Sequence, residues 1–253
     1  MRNIKFVRLD EAESTNDYLR QHVKDNDEKN ICVAITENQT AGRGAGTNKW
    51  ESEPGQNLTF SILIHPNHIH PSEQFLISMA ISNAITRMVA NLQWHQNAQL
   101  PCRVKWPNDV YIGDKKICGI LIENTLSNNN IKNCIIGVGL NVNQTEFFSD
   151  APNPASLKHF LGRDLDKEDV LAHILDNFEM QMVSIDHGQE MSVREEYAES
   201  LYRKEGFHKY KDKNGEFEAS IERIDDDGHL VLCDRDGKMR RYGFKEVEFV
   251  IRK

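Results

Sequence analysis

GRGAGTNKW, at residues 42–50, and KWPND, at residues 105–109, are the most informative stretches of this sequence. The first, called here the glycine-rich loop, offers backbone N–H groups, two cations and a terminal indole ring. The second places a lysine, an amide and a carboxylate around a Trp-Pro corner, where proline restricts the backbone of both residues. Backbone amides and cations suit a phosphate, and an indole ring can stack on a base. Together the two stretches predict chemistry on a nucleotide.

The glycine-rich loop fits neither of the two common phosphate-binding loops. It lacks the Gly-Lys-Ser/Thr ending of a Walker A loop. A dinucleotide-binding turn opens a helix, whereas this loop leads into Pro54-Gly55 and an alternating strand at 58–64. A surface loop without a ligand remains the alternative. Arg43 and Trp50 favour binding, because a tryptophan at the end of a mobile loop is poorly placed for a core.

Two later segments carry glycine within apolar, strand-like runs. Gly119 interrupts the run at 115–123, and Gly137 and Gly139 interrupt the run at 131–142. Glycine inside a strand indicates the close approach of a ligand or of another backbone. Two facing strands of this kind would leave a slot for a flat or narrow ligand.

Composition excludes several classes of protein. A chain of 253 residues with 39% hydrophobic and 28% charged residues fits a folded, soluble protein. The net charge of −8 argues against a nucleic-acid binder. We expect no membrane partner and a cytoplasmic location, since neither a run of about 20 apolar residues nor a signal-peptide core is evident. The five scattered cysteines lack a C-x-x-C pair and are expected to be reduced thiols, with no metal bound.

Periodicity divides the chain near residue 206. A helix is predicted over 75–92, where apolar residues recur on one face. After Gly206 the sequence becomes a series of short strands at about 207–210, 216–224, 229–233, 238–242 and 246–251. Their Asn-Gly and Asp-Gly turns are strong hairpin signals. We therefore expect one domain at 1–205 and a small β-barrel at 206–253.

At these residues the chain resembles the biotin–protein ligases, or biotin–[acetyl-CoA-carboxylase] ligases. The resemblance runs almost end to end, with five motifs in the family's order and spacing. They are Ser14-Thr15-Asn16, Gln39 to Gly44 with Trp50, Lys105 to Asp109, Lys116 with Gly119-Ile120-Leu121, and Gly137 to Asn141. The resemblance implies an α+β fold. Its parts are a class II aminoacyl-tRNA synthetase/biotin synthetase-like catalytic domain with a mixed sheet and helices, and a small C-terminal SH3-like β-barrel.

The resemblance also implies an ATP-dependent reaction in two steps. Biotin's carboxylate attacks the α-phosphate of ATP, giving biotinyl-5′-AMP and pyrophosphate, and a lysine of a biotin carboxyl carrier protein or domain then takes the biotin. Mg²⁺ is expected to accompany ATP, with Asp109 as its candidate ligand. The catalytic pattern begins within the first 15 residues, so we expect a monofunctional enzyme without a DNA-binding domain, acting as a monomer or homodimer.

Site residues follow from the same motifs. The resemblance implies catalytic roles for Arg43, Lys116, Lys105 and Asp109. It implies biotin binding by Ser14, Thr15, Asn16, Gln39, Gly42, Arg43, Lys116 and Gly119. It implies ATP or adenylate binding by Arg43, Gly44, Lys49, Trp50, Asn108, Lys116 and Asn141. One departure is Ala45, where the family often has Arg or Gln, and this implies a looser loop and weaker retention of the adenylate.

Two alternatives stay open at this point. A lipoate or octanoate ligase or transferase shares the fold, although the KWPND stretch, the loop with Trp50 and the C-terminal barrel favour biotin. A non-catalytic biotin sensor is the second alternative. The presence of both Arg43 and Lys116 favours catalysis, because binding alone needs fewer cations.

Overall fold

The protein folds into five α-helices and twelve β-strands in the part of the chain that the computed structural model describes, residues 4–26, 29–94, 101–148 and 153–251. The strands are β1 (Lys5–Ala12), β2 (Cys32–Gln39), β3 (Leu58–Ile64), β4 (Cys102–Lys105), β5 (Asp109–Ile112), β6 (Lys115–Ser127), β7 (Asn130–Leu140), β8 (His208–Asp212), β9 (Gly215–Ile224), β10 (Leu230–Asp234), β11 (Met239–Tyr242) and β12 (Glu248–Phe249). The helices are α1 (Thr15–Asn26), α2 (Phe75–Trp94), α3 (Leu157–Leu161), α4 (Lys167–Asp186) and α5 (Glu190–Glu199). A 3₁₀ turn, Pro71–Glu73, precedes α2.

The first sheet has seven strands in the order β1-β2-β3-β7-β6-β5-β4. Only β1 and β2 run parallel among the pairs described, so the sheet is mixed and the predicted α+β class is confirmed. Its register places Thr59 opposite Gly139, Gly139 opposite Gly119, and Gly119 opposite Asp109. Residues directly opposite each other on paired strands lie on the same face of a sheet. This row therefore brings the two glycines and the Asp109 carboxylate to one face of four adjacent strands.

Helix α2 supplies much of the core. It begins at Phe75, the predicted start, and follows the 3₁₀ turn Pro71–Glu73. Ile77, Ile81 and Ile85 are fully buried, as the predicted helical spacing requires. Among the other helices, α4 is capped at its start by Asp166, whose side chain accepts from the backbone N–H of Glu168. The predictions did not include the short α3.

We expected no run of about 20 apolar residues in this sequence, and the apolar character of α2 corrects that expectation. The segment Pro71–Leu92 is long and apolar enough to cross a bilayer, with a mean hydropathy of 1.3. However, 72% of its most apolar window is buried inside the protein. Packing against the sheet and against α4 and α5 accounts for that hydropathy. Apolar length alone therefore does not separate a core helix from a membrane span.

The second sheet is antiparallel, with the order β11-β10-β9-β8-β12. Each strand lies within a few residues of its predicted position, and the turn glycines Gly215, Gly228 and Gly237 have positive φ. The buried apolar cluster of the first sheet continues into this one through Tyr210, Leu230 and other side chains. A division into domains at 205/206 stays a prediction. All five cysteines are free thiols, as the sequence predicts.

Candidate active site

A cavity of about 950 Å³ lies over the glycine-bearing face of the first sheet. Every residue predicted for the site except Gly42 lines it. Gly42 packs closely against two lining residues, since a Cβ there would lie within 3.0 Å of the Trp50 carbonyl oxygen and of the Gln39 amide. The cavity therefore unites motifs that are spread over more than a hundred residues of sequence.

One end of the cavity is a network of neutral polar groups at the start of α1. Ser14, Thr15 and Asn16 are each at most 5% exposed. The backbone N–H of Thr15 donates to Gln39 Oε1 at 3.1 Å, and Ser61 Oγ lies 2.6 Å from both Thr15 Oγ1 and Asn16 Oδ1. Sequence reasoning missed Ser61, although it lies opposite Gly137 in β3. Such a network holds fixed donors and acceptors for an uncharged polar ligand.

The slot between the glycine strands is filled by the protein's own tryptophan. A Cβ on Gly139 would lie under 3.0 Å from the Trp50 ring, and one on Gly119 would lie 3.0 Å from it. The Trp50 Nε1 is buried and has no hydrogen-bond partner among the described residues. A flat ligand can occupy this slot only after the indole leaves it. Stacking of Trp50 on adenine stays a prediction.

Lys116 and Asp109 form an ion pair on the floor of the cavity. Lys116 Nζ lies 2.7 Å from Asp109 Oδ1, and the two side chains are 19% and 23% exposed. The same ammonium lies 5.8 Å from the centroid of the Trp50 ring. A cation that is largely shielded from water interacts more strongly with an anion than a surface lysine does.

Lys105 lies beside this pair in a more apolar setting. Its ammonium is 5.2 Å from the Phe249 ring centroid and 5.8 Å from that of Tyr111. Burial lowers the pKa of Lys105, and the nearby Asp109 carboxylate partly opposes this effect. Burial therefore disfavours the charged form of Lys105. Such lowered pKa values are common where a cation faces a ligand anion.

Arg43 is held by acidic partners at the rim of the cavity. Its Nη2 lies 2.9 Å from Asp17 Oδ1 and 3.1 Å from Glu123 Oε2. Glu123 also accepts a hydrogen bond from Asn16 at 2.8 Å. Neither carboxylate was predicted, yet two-residue alternation from Gly119 along β6 places Glu123 on the same face. Arg43 and Lys116 thus line one cavity, with Arg43 neutralised by carboxylates in this state.

The two asparagines predicted to bind the nucleotide, Asn108 and Asn141, also line the cavity. The Asn108 side chain donates to the Ile120 carbonyl oxygen, which fixes the KWPND corner against β6. Asn141 is 3% exposed and donates to the Ala155 carbonyl oxygen at 3.0 Å. Its Oδ1 is buried and has no hydrogen-bond partner among the described residues. An unpaired buried acceptor is costly, and a ligand donor would relieve that cost.

The second sheet closes another side of the cavity. Residues between β11 and the end of β12 contribute to its lining: Phe244, Lys245, Val247, Glu248 and Phe249. Local patterns could not identify them, because their place in the site depends on packing between the two sheets.

Comparisons with known proteins agree with this architecture. The model of the Biotin/lipoate A/B protein ligase family matches residues 9–141, which is more than half of the chain. The Bifunctional ligase/repressor BirA of Bacillus subtilis is 29% identical over 219 residues, and the alignment covers 83% of this chain and 64% of that relative. The protein of the same name in Escherichia coli is 33% identical over 130 residues, covering 51% of this chain and 38% of the relative.

Solved structures show the same fold over nearly the whole chain. A biotin protein ligase from Aquifex aeolicus in complex with biotin and ATP superposes with a TM-score of 0.78 at 22% identity, covering 97% of this chain and 99% of the other. One from Leishmania major in complex with biotinyl-5-AMP gives a TM-score of 0.65 at 22% identity, covering 96% and 99%. The motifs, the mixed sheet and the family match lead to one conclusion: the chain belongs to the biotin/lipoate A/B protein ligase family.

Proposed function

We propose that this chain is a biotin–protein ligase. It activates biotin with ATP as biotinyl-5′-AMP and then transfers biotin to a lysine of a biotin carboxyl carrier protein or domain. The observation that carries the proposal is that Arg43, Lys116 and Trp50 line one cavity above a glycine-faced sheet. Relatives named as biotin ligases, and a neighbouring fold in complex with biotin and ATP, support the same substrates.

The first step requires two anions to approach each other. A carboxylate and a phosphate repel, so cations must lie between them, and Arg43 and Lys116 are of the two suitable types. Arg43 reaches the ligand by exchanging its present carboxylate partners for the ligand's anion. That exchange costs little, because partly exposed ion pairs of this kind contribute about 0–1 kcal/mol. Lys116 lies deeper and supplies the stronger local charge.

The neutral end of the cavity suits biotin's ureido ring. That ring presents two N–H donors and one carbonyl acceptor. Thr15, Asn16 and Gln39 offer both kinds of partner from a buried, hydrogen-bonded network. With the ring held there, the valeryl chain would follow the slot now covered by Trp50 and bring its carboxylate toward Lys116.

Magnesium would enter with the nucleotide. The described residues contain no group of three or more His, Cys, Asp or Glu side chains placed to hold a metal. Mg²⁺ in nucleotide sites commonly uses one or two carboxylates together with phosphates and water. Asp109 fits the role of a single carboxylate ligand, and the ion would supply charge neutralisation at the phosphates.

The second step needs a neutral amine. The acceptor lysine must lose a proton before it attacks the activated carbonyl, and Asp109 is the carboxylate in the cavity floor that can accept it. Lys116 would remain beside the leaving phosphate and stabilise its negative charge.

Incubation with labelled biotin, Mg-ATP and a biotin carboxyl carrier domain tests the proposal. We expect biotin-dependent release of pyrophosphate, followed by covalent label on one acceptor lysine. A carrier domain in which that lysine is replaced by arginine serves as the control. Absence of both pyrophosphate release and label would overturn the proposal, whereas biotin binding without pyrophosphate release would indicate a non-catalytic sensor.

A lipoate ligase is the second candidate, because the matching family model covers biotin and lipoate ligases alike. Calorimetric titration with biotin and with lipoate separates the two. We expect measurable binding of biotin and much weaker binding of lipoate, since the buried amide and hydroxyl groups of the network would be left unpaired by a ligand without a ureido ring. The reverse order of affinities would favour the second candidate.

A further inference from the structure

A lysine from the second sheet makes direct contact with the glycine-rich loop. Lys245 Nζ donates to the Ala45 carbonyl oxygen at 3.2 Å, although the two residues are 200 positions apart in the chain. A Cβ on Gly46 would lie under 3.0 Å from the same Nζ. The ammonium therefore occupies the space that a side chain at position 46 would need.

The backbone around Lys245 is shaped to deliver this contact. Lys245 has a φ of 66°, a left-handed conformation that is unfavourable for a residue with a side chain. Two hydrogen bonds between Gly243 and Glu246 close the turn. The backbone N–H of Gly243 donates to Glu246 Oε2 at 2.7 Å, and the backbone N–H of Glu246 donates to the Gly243 carbonyl oxygen at 3.2 Å. Gly46 also has a positive φ, of 69°. Lys245 thus holds an uncommon conformation where the two segments meet, and glycine at position 46 allows the loop its left-handed turn there.

The loop also has weak internal support at this point. Its own backbone bonds are Gly44 N–H to the Asn48 oxygen at 2.8 Å, Trp50 N–H to the Gly42 oxygen at 3.0 Å, and a long one from Asn48 N–H to the Ala45 oxygen at 3.5 Å. Between them, Ala45 presents only a methyl group and Gly46 none. The side-chain contact that Ala45 does not make is therefore replaced by a cation reaching in from outside the loop.

We propose that Lys245 is a positioning residue that ties the glycine-rich loop to the second sheet and keeps the loop over the cavity while an activated acyl group waits for its acceptor. This inference rests on the proposed function for its consequence. An acyl adenylate hydrolyses readily, and a loop that remains closed excludes water and retains the intermediate. Lys245 would accordingly affect the loss of the intermediate more than its formation.

Hydrogen exchange in the ligand-free protein tests the tether itself. In Lys245→Ala, the amides of Gly44 and Trp50 are expected to exchange about five-fold faster, because a hydrogen bond with a charged donor is lost at an exposed site. Lys245→Arg, which keeps a long cationic donor, should restore slow exchange. Lys238→Ala removes an exposed lysine from the turn before β11 and serves as the matched control. Equal exchange in wild type and Lys245→Ala would overturn the proposal.

The proposed effect of Lys245 on retention of the adenylate is tested by measuring formation of the adenylate and its loss separately. Without an acceptor, steady AMP production reports loss, and the first burst of pyrophosphate reports formation. Lys245→Ala is expected to raise the loss about five-fold, matching the loosened contact, with a smaller change in the burst. Lys245→Arg, which keeps a long cationic donor, should restore the wild-type rate of loss. If the burst falls together with the loss while KM for ATP rises, Lys245 contacts the nucleotide directly and the proposal is wrong.

The two proposals can fail separately. If wild-type protein releases no pyrophosphate with biotin and ATP, the proposed function is wrong, whereas the exchange experiment still decides whether Lys245 restrains the loop.

Discussion

Replacing Lys116 by glutamine is expected to disable adenylate formation while leaving the fold intact. Glutamine keeps much of the side-chain length and one donor group but removes the positive charge. A preorganised donor aimed at developing charge contributes about 3–4 kcal/mol to catalysis, so the rate of pyrophosphate release should fall roughly 100- to 1000-fold. KM for biotin should change less than kcat, because the charge acts mainly on the reacting phosphate.

The cost to stability can be bounded from the ion pair. Lys116 Nζ lies 2.7 Å from Asp109, with both side chains about one fifth exposed. Fully exposed pairs contribute about 0–1 kcal/mol, and breaking a fully buried pair costs about 3–5 kcal/mol. This pair lies between the two limits, and glutamine can still donate to the carboxylate. We therefore expect the free energy of unfolding to fall by about 1–2 kcal/mol, which is a Tm shift of a few degrees.

Lys115→Gln is the matched control for this prediction. Lys115 is the preceding residue of β6 and is exposed, so its substitution makes the same change in charge outside the cavity. The assay is pyrophosphate release under saturating biotin and Mg-ATP, with unfolding followed by circular dichroism. The argument is refuted if Lys116→Gln keeps more than about a tenth of the wild-type rate, or if Lys115→Gln loses as much.

Three further substitutions test the glycine face and the buried lysine. Gly139→Ala is expected to expel the Trp50 indole, because the new Cβ would lie under 3.0 Å from the ring. Tryptophan emission should move to longer wavelength, and a Gly139→Ala/Trp50→Phe protein should lack that change. Gly137→Ala should lower the free energy of unfolding by about 1–3 kcal/mol through overpacking against the buried Asn16, and an unchanged denaturation midpoint would contradict this. Lys105→Met should be more stable than wild type below the lowered pKa of Lys105, because burial penalises the ammonium there. As the pH rises through the lowered pKa towards 10.5, the unfolded wild-type chain binds more protons than the folded one, so wild type gains stability and the advantage of Lys105→Met should shrink. Denaturant titrations across alkaline pH measure this difference.

Local sequence patterns were sufficient for strand β3, helix α2 and the hairpins after residue 206, but not for the short α3. Strand β3 has the bounds that alternation predicts, 58–64, and the hairpins after residue 206 follow their Asn-Gly and Asp-Gly turns. These features depend on neighbours a few residues apart, so their signals survive in a single sequence. The pairing of Gly119 with Gly139 was also predictable in outline, because glycine in two successive strands marks one shared face.

The sequence by itself determined the family, the α+β class and a set of site residues of which all but Gly42 line the cavity. Only the tertiary structure decided what those residues contact: Arg43 pairs with two carboxylates, Trp50 fills the glycine slot, and Lys245 reaches the loop from 200 residues away. Periodicity reports which face a side chain lies on, but it carries no record of which distant segment covers that face. That choice is made by packing between the two sheets, where long-range contacts outweigh local preference.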